Sequence, residues 1–163
     1  MSAMPAQRPG RSRQDYATPD DFIAAVKHRL GITDFVVDLA ADASNTKAVR
    51  FLDEEHDSLQ YDWNRYGGNG DWCWLNPPYA KIAPWAKKCA ETSANVAFLV
   101  PAAVGSNWWA DWVNHHALVL FPRPRLSFDN KNPYIKDVAL CLYGIAPSYP
   151  GWDQCWEWTK ELA

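Results

Sequence analysis

The chain has 163 residues, 48% of them hydrophobic and 14% aromatic, with a formal net charge of −3. That is enough apolar material for one sizeable core and one domain, which excludes a disordered chain and makes a disulfide-stapled scaffold an unsuitable description. No apolar run approaches the roughly 20 residues of a membrane span and the N-terminus lacks the apolar core of a signal peptide, so a cytoplasmic protein without a membrane partner is expected.

Residues 1–14 carry Arg8, Arg11 and Arg13 and no acid, which leaves 13 basic against 19 acidic residues, a balance of −6, in the remainder. These first residues lack apolar periodicity and are expected to form a disordered basic arm, with one domain over 15–163. Thr18-Pro19-Asp20-Asp21 predicts a helix start, with Thr18 as cap and Pro19 in the first turn. Phe22, Ile23, Val26 and Leu30 then form an apolar stripe, and Gly31 is the stop.

Phe35-Val36-Val37-Asp38-Leu39 reads as a buried parallel strand whose carboxyl end meets a site. Ala48–Leu52 is a second apolar piece, followed by the acidic run Asp53–Asp57. The glycine-rich turn Tyr66–Gly70 leads into a strand rather than a helix, so it is no phosphate cradle.

Strand Asp71–Leu75, loop Asn76–Tyr79, helix Pro84–Ser93 and strand Asn95–Val100 follow. A helix capped by Ser106 carries Trp108, Trp109, Trp112 and Val113, and Ala117–Phe121 is the next strand. Alternation of this kind means α/β. Strand Asp137–Tyr143 and the preceding Pro/Arg segment read as antiparallel additions at a sheet edge, and Trp152–Leu162 as a terminal helix with Trp152, Cys155, Trp156 and Thr159 on one face.

The chemistry is concentrated in Asn76-Pro77-Pro78-Tyr79. An aromatic amino nitrogen is a weak nucleophile because its lone pair is delocalised into the ring. Acceptors aimed at its two N–H groups make it more pyramidal as it attacks. The Asn76 oxygen and the Pro77 carbonyl are two such acceptors, Pro77 and Pro78 stiffen the loop, and Tyr79 is suited to stacking on a planar base. A proline turn after a strand is the plainer reading of the same string. Its position between a strand and a helix favours the site, because open α/β sheets bind ligands at the carboxyl ends of their strands.

Taken together, Thr18-Pro19, Asp38-Leu39-Ala40-Ala41 with Asn45, Asp57-Ser58-Leu59 with Trp63, Asn76–Tyr79, Leu99-Val100-Pro101-Ala102 and Arg125-Leu126-Ser127-Phe128 resemble, in order and spacing, the phage-type DNA N6-adenine methyltransferases across roughly residues 15–143. The resemblance implies a Rossmann-like methyltransferase fold, mostly parallel with antiparallel edge additions and flanking helices. It implies S-adenosylmethionine as cofactor, double-stranded DNA as partner, base flipping, a short palindromic site containing adenine, and protection of phage DNA from restriction.

By that resemblance Thr18 and Pro19 would line the methionine end of the cofactor, beside Tyr16, where the family carries tryptophan. Asp38, Leu39 and Ala40 would form the turn beneath the cofactor, with Asn76 also facing it, and Asp57 would take the ribose hydroxyls. Asp57 lies 19 residues beyond Asp38, the separation at which a ribose-binding acid occurs in nucleotide-binding α/β folds. Glu54 and Glu55 are alternatives, and so is a solvated acidic loop. The turn at Asp38 lacks the glycine-rich signature of many methyltransferases, and the chain is too short for a separate target-recognition domain.

Arg123, Arg125 and Lys131 form the best basic patch outside the arm. Phosphate binding and a charged, aggregation-blocking hairpin are its two readings. His115-His116 suit a helix C-terminus. Cys73, Cys89, Cys141 and Cys155 make no C-x-x-C pair and lack zinc spacing to the histidines, so reduced, mostly buried thiols and no metal are expected. The ten tryptophans suit either core filling or base stacking. Competing functions are methylation of an RNA base or a protein glutamine, and a non-catalytic nucleic-acid-binding module. Oligomeric state has no signature in the sequence.

Overall fold

The computed structural model describes residues 17–68, 70–128, 131–150 and 154–163. The expected basic arm, Tyr16 and Trp152 lie outside the described residues.

Among the described residues six strands form one sheet in the order β1-β2-β3-β5-β4-β6. They are β1 Val37–Asp38, β2 Trp72–Leu75, β3 Asn95–Pro101, β4 Leu118–Arg123, β5 Val138–Tyr143 and β6 Cys155–Glu157. β1, β2 and β3 are mutually parallel, β5 is antiparallel to both β3 and β4, and β6 is parallel to β4. Five strands therefore point one way, and the single reversed strand is interior. The expectation of antiparallel additions at an edge is corrected here. All six residues of β5 are buried, so it needs neighbours on both sides and cover on both faces.

Side chains alternate between two cores. Cys73, Leu75, Val96, Phe98, Val100, Ala139 and Cys141 face one cluster. Trp72, Trp74, Ala97, Leu99, Leu140 and Leu142 face the other. Helix α1 (Asp20–Leu30) covers the second face through Phe22, Ile23 and Val26. Helix α2 (Ala83–Glu91) and a π-helical turn, Trp109–Val113, cover the first through Ala86, Cys89, Trp109 and Val113. Helices on both faces of a mostly parallel sheet make a three-layer α/β structure.

Gly31 ends α1 in the left-handed conformation, φ 69°, and its N–H and the next one reach the carbonyls of His28 and Lys27, as expected of a glycine stop. Ser106 caps its helix through the Trp109 N–H at 3.3 Å. Ala48–Leu52 does not become a strand. It contributes one isolated parallel bridge, Phe51 to Asp38, and Val49 is fully exposed.

The terminal helix is also corrected. Residues 155–157 are β6 and Trp158–Leu162 is a 3-10 helix. Trp156 and Trp158 both pack on Phe22, at ring separations of 5.8 and 5.4 Å, and their i, i+2 spacing is that of a strand. Trp63, Trp72, Trp74, Trp109, Trp156 and Trp158 are buried, and Trp85, Trp108 and Trp112 pack partly buried against the core. Core filling accounts for the described tryptophans. Cys73, Cys89 and Cys141 are buried free thiols and Cys155 is an exposed one.

Candidate active site

Strand direction gathers the predicted residues. β1, β2, β3, β4 and β6 end on one side of the sheet, and β5 begins there, since Val138 is in register with Pro101. Asp38, Asn76, Pro101, Arg123 and the approach to Val138 thus share one end of the molecule.

Asn76 follows β2 and is held from two sides. Its Nδ2 donates to Thr18 Oγ1 at 2.9 Å, and the Tyr79 hydroxyl donates to its Oδ1 at 2.7 Å. Thr18 is 3% exposed. It does not cap α1, whose cap position is Pro19 with no side-chain bond. Its hydroxyl is turned to Asn76, and Asp21 Oδ1 serves the Phe22 N–H instead. Tyr79 Oη also lies 3.4 Å from the Leu99 carbonyl. Burial, then the neighbouring Tyr134, pushes the Tyr79 hydroxyl well above its ordinary pKa, so it is a neutral donor.

Among the described residues no donor reaches the Pro77 carbonyl. Asn76 Oδ1 keeps a second lone pair. Adjacent residues thus carry two acceptors, the number that an amino group presenting two N–H bonds requires. Pro77 is buried and Pro78 exposed. Beside them a shallow, open depression is lined by Tyr79, Lys81, Ile82, Pro84 and Trp108.

Asp38 sits two strand positions from β3, in register with Trp74 of β2. Its carboxylate accepts the Lys47 N–H at 2.9 Å and the Ala40 N–H at 3.2 Å. These bonds staple the loop 40–47 over the end of β1. Burial pushes the carboxyl up to about 7 against the pull of those two N–H groups. Lys47 Nζ reaches Asp20 at 3.0 Å, tying the start of α1 to the same loop. Leu39 is a core side chain whose N–H bonds the Trp74 carbonyl, so it shapes the turn through its backbone. Thr18, Pro19, Asp38, Leu39, Ala40 and Asn76 are therefore brought together by three linked segments.

The acidic run forms two consecutive 3-10 turns, Glu54–His56 and Ser58–Gln60. Asp57 lies between them in the left-handed region, φ 46° and ψ 70°. Its exposed carboxylate has no side-chain partner among the described residues. A non-glycine residue held there costs energy that the surrounding structure must supply. Asp53, which sequence reasoning passed over, follows directly on Leu52, whose carbonyl bonds the Ala41 N–H. Its carboxylate is engaged by His56, which holds it below the usual range. The signal for it was an acid at the end of an apolar segment.

Ser58 and Trp63 have structural roles. The Trp63 indole N–H donates to the Ser58 carbonyl at 2.9 Å, and the ring stacks on Trp85 of α2. Lys88 bonds the Leu59 carbonyl at 3.0 Å. These contacts fasten the acidic turns to α2.

Arg123 pairs with Glu157 at 3.0 Å and Arg125 with Asp137 at 2.9 Å, both pairs exposed. Lys131 is exposed on the loop before Tyr134. Leu126 and Phe128 anchor the segment in the core. A second open depression lies among Pro101, Ala103, Arg125, Ile135 and Lys136. His115 and His116 follow the π-helical turn, with His115 at φ 64°. Among the described residues no cluster of three or more His, Cys, Asp or Glu could hold a metal, and no helix is long and apolar enough to cross a membrane.

The arrangement has counterparts among known proteins. The DNA N-6-adenine-methyltransferase of Haemophilus phage HP1 is 29% identical over 101 residues, which cover 59% of this chain and 56% of that protein. The chain thus matches little more than half the length of that curated relative. No solved structure matches. Residues 6–138 match the family described as DNA N-6-adenine-methyltransferase (Dam), a span that includes Thr18, Asp38, Asp57, Asn76 and Arg125, and the chain belongs to that family.

Proposed function

We propose that this chain transfers a methyl group from S-adenosylmethionine to the N6 amino group of adenine in double-stranded DNA, on a Rossmann-like methyltransferase fold. The observation that carries the reading is the pair of acceptors, Asn76 Oδ1 and the Pro77 carbonyl, at the carboxyl end of a parallel strand. Family membership supports the same reaction. The Rossmann-like fold is supported by a sheet whose first three strands are parallel and whose reversed strand is inserted beside them.

In this mechanism Asn76 and Pro77 accept the two N–H bonds of the adenine amino group and draw its lone pair out of the ring. The cofactor supplies an electrophilic methyl carbon on a positive sulfur. Thr18, Pro19, the Asp38–Ala40 turn and Asp57 would hold the cofactor so that its methyl could pass to the amino nitrogen, with the sulfur left as a thioether, while Asn76 and Pro77 keep that nitrogen in place until its excess proton is lost to solvent. No strong base is required, so the contribution of the chain is positioning and charge stabilisation.

The residues present fit such a cofactor. Asp57 is a carboxylate available to ribose hydroxyls, with Glu54 and Glu55 beside it, and its left-handed backbone fits a functional constraint. Thr18, Pro19 and the Asp38–Ala40 turn would border the methionine portion.

Arg123, Arg125 and Lys131 are assigned to DNA phosphates. β4 lies three strand spacings from β2, about 14 Å at ~4.8 Å per spacing. That separation is roughly four nucleotides along one strand, at about 3.4 Å each, so one duplex could reach both Asn76 and the arginines. Ile135 and Val104, 82% and 64% exposed, stand on loops at this end. They suit the gap left when a base is turned out of the stack.

The deciding experiment is transfer of labelled methyl from S-adenosylmethionine to unmethylated duplex DNA, with nucleoside analysis of the product. N6-methyladenine is expected. Label in another nucleoside, or DNA bound without transfer, would overturn the reading.

A further inference from the structure

Asparagine carboxamides rotate readily about their last torsion, which is broad and roughly two-fold. An acceptor that must face a substrate therefore needs something to choose between its oxygen and its nitrogen. In this chain the choice is made by two hydroxyls: Thr18, 58 residues before Asn76, accepts a hydrogen bond from Nδ2 at 2.9 Å, and Tyr79, three residues after it, donates one to Oδ1 at 2.7 Å. Thr18 is 3% exposed and has given up the capping of α1. The Tyr79 ring packs partly buried against the core, with its hydroxyl directed at Asn76 and the Leu99 carbonyl.

We propose that Thr18 and the Tyr79 hydroxyl are positioning residues that lock the orientation of the Asn76 carboxamide, so that the remaining lone pair of Oδ1 is presented beside the Pro77 carbonyl. The proposal rests on the amino-methyltransferase reading of the site. It assigns Tyr79 a role through its oxygen, distinct from stacking by its ring. A phenyl ring would preserve stacking and lose the lock, and valine at position 18 would preserve shape and lose it.

The test uses the full chain with Thr18→Val, Thr18→Ser, Tyr79→Phe and the double variant Thr18→Val/Tyr79→Phe. With one oriented hydrogen bond removed, Thr18→Val and Tyr79→Phe should each lower kcat about tenfold, with KM for DNA within about twofold. Thr18→Ser should restore kcat. The double variant should fall no lower than Asn76→Ala, because both hydroxyls act through the same side chain. Wild-type kcat in both single variants, an effect confined to KM, or serine as slow as valine would each overturn the lock.

A second measurement is independent of catalysis. The side-chain amide protons of Asn76 should give two separate, exchange-protected NMR signals in the wild-type chain and lose that protection in Thr18→Val. If the wild-type chain moves no methyl to adenine, the functional reading fails while the amide signals still report the lock. If methyl is transferred but the amide signals are unprotected in the wild-type chain, the lock fails and the function stands.

Discussion

Two regions at the same end of the sheet are built in opposite ways. The Asn76 loop joins a parallel strand to a helix, and its polar atoms are engaged by the buried Thr18 hydroxyl and by Tyr79. The Arg123–Asp137 segment joins β4 to the reversed strand β5, and its guanidiniums are met by exposed carboxylates. Hydrogen bonds among buried groups are costly to leave unmade, so they hold one geometry. Exposed ion pairs are worth roughly 0–1 kcal/mol, so their partners exchange at little cost. The first construction suits a reacting centre that must be oriented before substrate arrives. The second suits a surface where Arg125 trades Asp137 for a phosphate.

The largest effect should follow from Asn76→Ala. Removing one oriented acceptor at a transition state costs about 3 kcal/mol, or roughly 100-fold in kcat. Labelled-methyl assays should show that loss while calorimetric cofactor binding persists; unchanged turnover would remove the distinction between the two regions.

Asp57→Asn comes next. It should weaken cofactor binding about tenfold by replacing a charge-assisted hydrogen bond worth roughly 1.5 kcal/mol or more, with little change in melting temperature because the side chain makes no structural bond among the described residues. Normal affinity in that variant would move the role to Glu54 or Glu55.

Arg125→Ala should act only on the second region. DNA affinity should fall a few-fold and the slope of log affinity against log salt should become shallower by about 1, with kcat at saturating DNA unchanged. Asp137→Ala should do the reverse and tighten binding, since it releases the guanidinium. A kcat loss in Arg125→Ala with an unaltered salt slope would mean that the regions are one mechanical unit.

The effect least tied to turnover concerns Asp38, whose carboxyl is pushed up to about 7 by burial. Because the folded chain holds this proton more tightly than the unfolded one, the associated stability is complete below about pH 4 and is lost as pH rises through about 7. The melting temperature of the wild-type chain relative to Asp38→Asn should therefore decline between pH 5 and pH 8. A difference that grows with pH would show that the two N–H bonds from Lys47 and Ala40 outweigh the desolvation.

Local chemistry made several features legible in advance. Gly31 stops α1 because a left-handed cap favours glycine, Pro84 sits in the first turn of α2, and Trp72–Leu75 and Asn95–Pro101 are strands because continuous apolar runs belong in a sheet covered on both faces. The Asn76 loop was recognisable as a proline turn between a strand and a helix. Other features depend on partners far away in the chain. Trp156 looked helical until its pairing across β4 and its contact with Phe22 made residues 155–157 a strand. Thr18 looked like a cap until Asn76, 58 residues on, claimed its hydroxyl.

The amino-acid sequence by itself determined the α/β class, the main strands and helices, and the place of the Asn76–Tyr79 loop after a strand, because periodicity and turn residues act over a few neighbouring positions. Only the tertiary structure decided that β5 is inserted beside β3, that the arginine segment shares the site's end of the sheet, and that the Thr18 hydroxyl engages Asn76. Those outcomes rest on contacts between segments tens of residues apart, where burial and hydrogen-bond satisfaction across the whole core select among arrangements that local preference leaves equal.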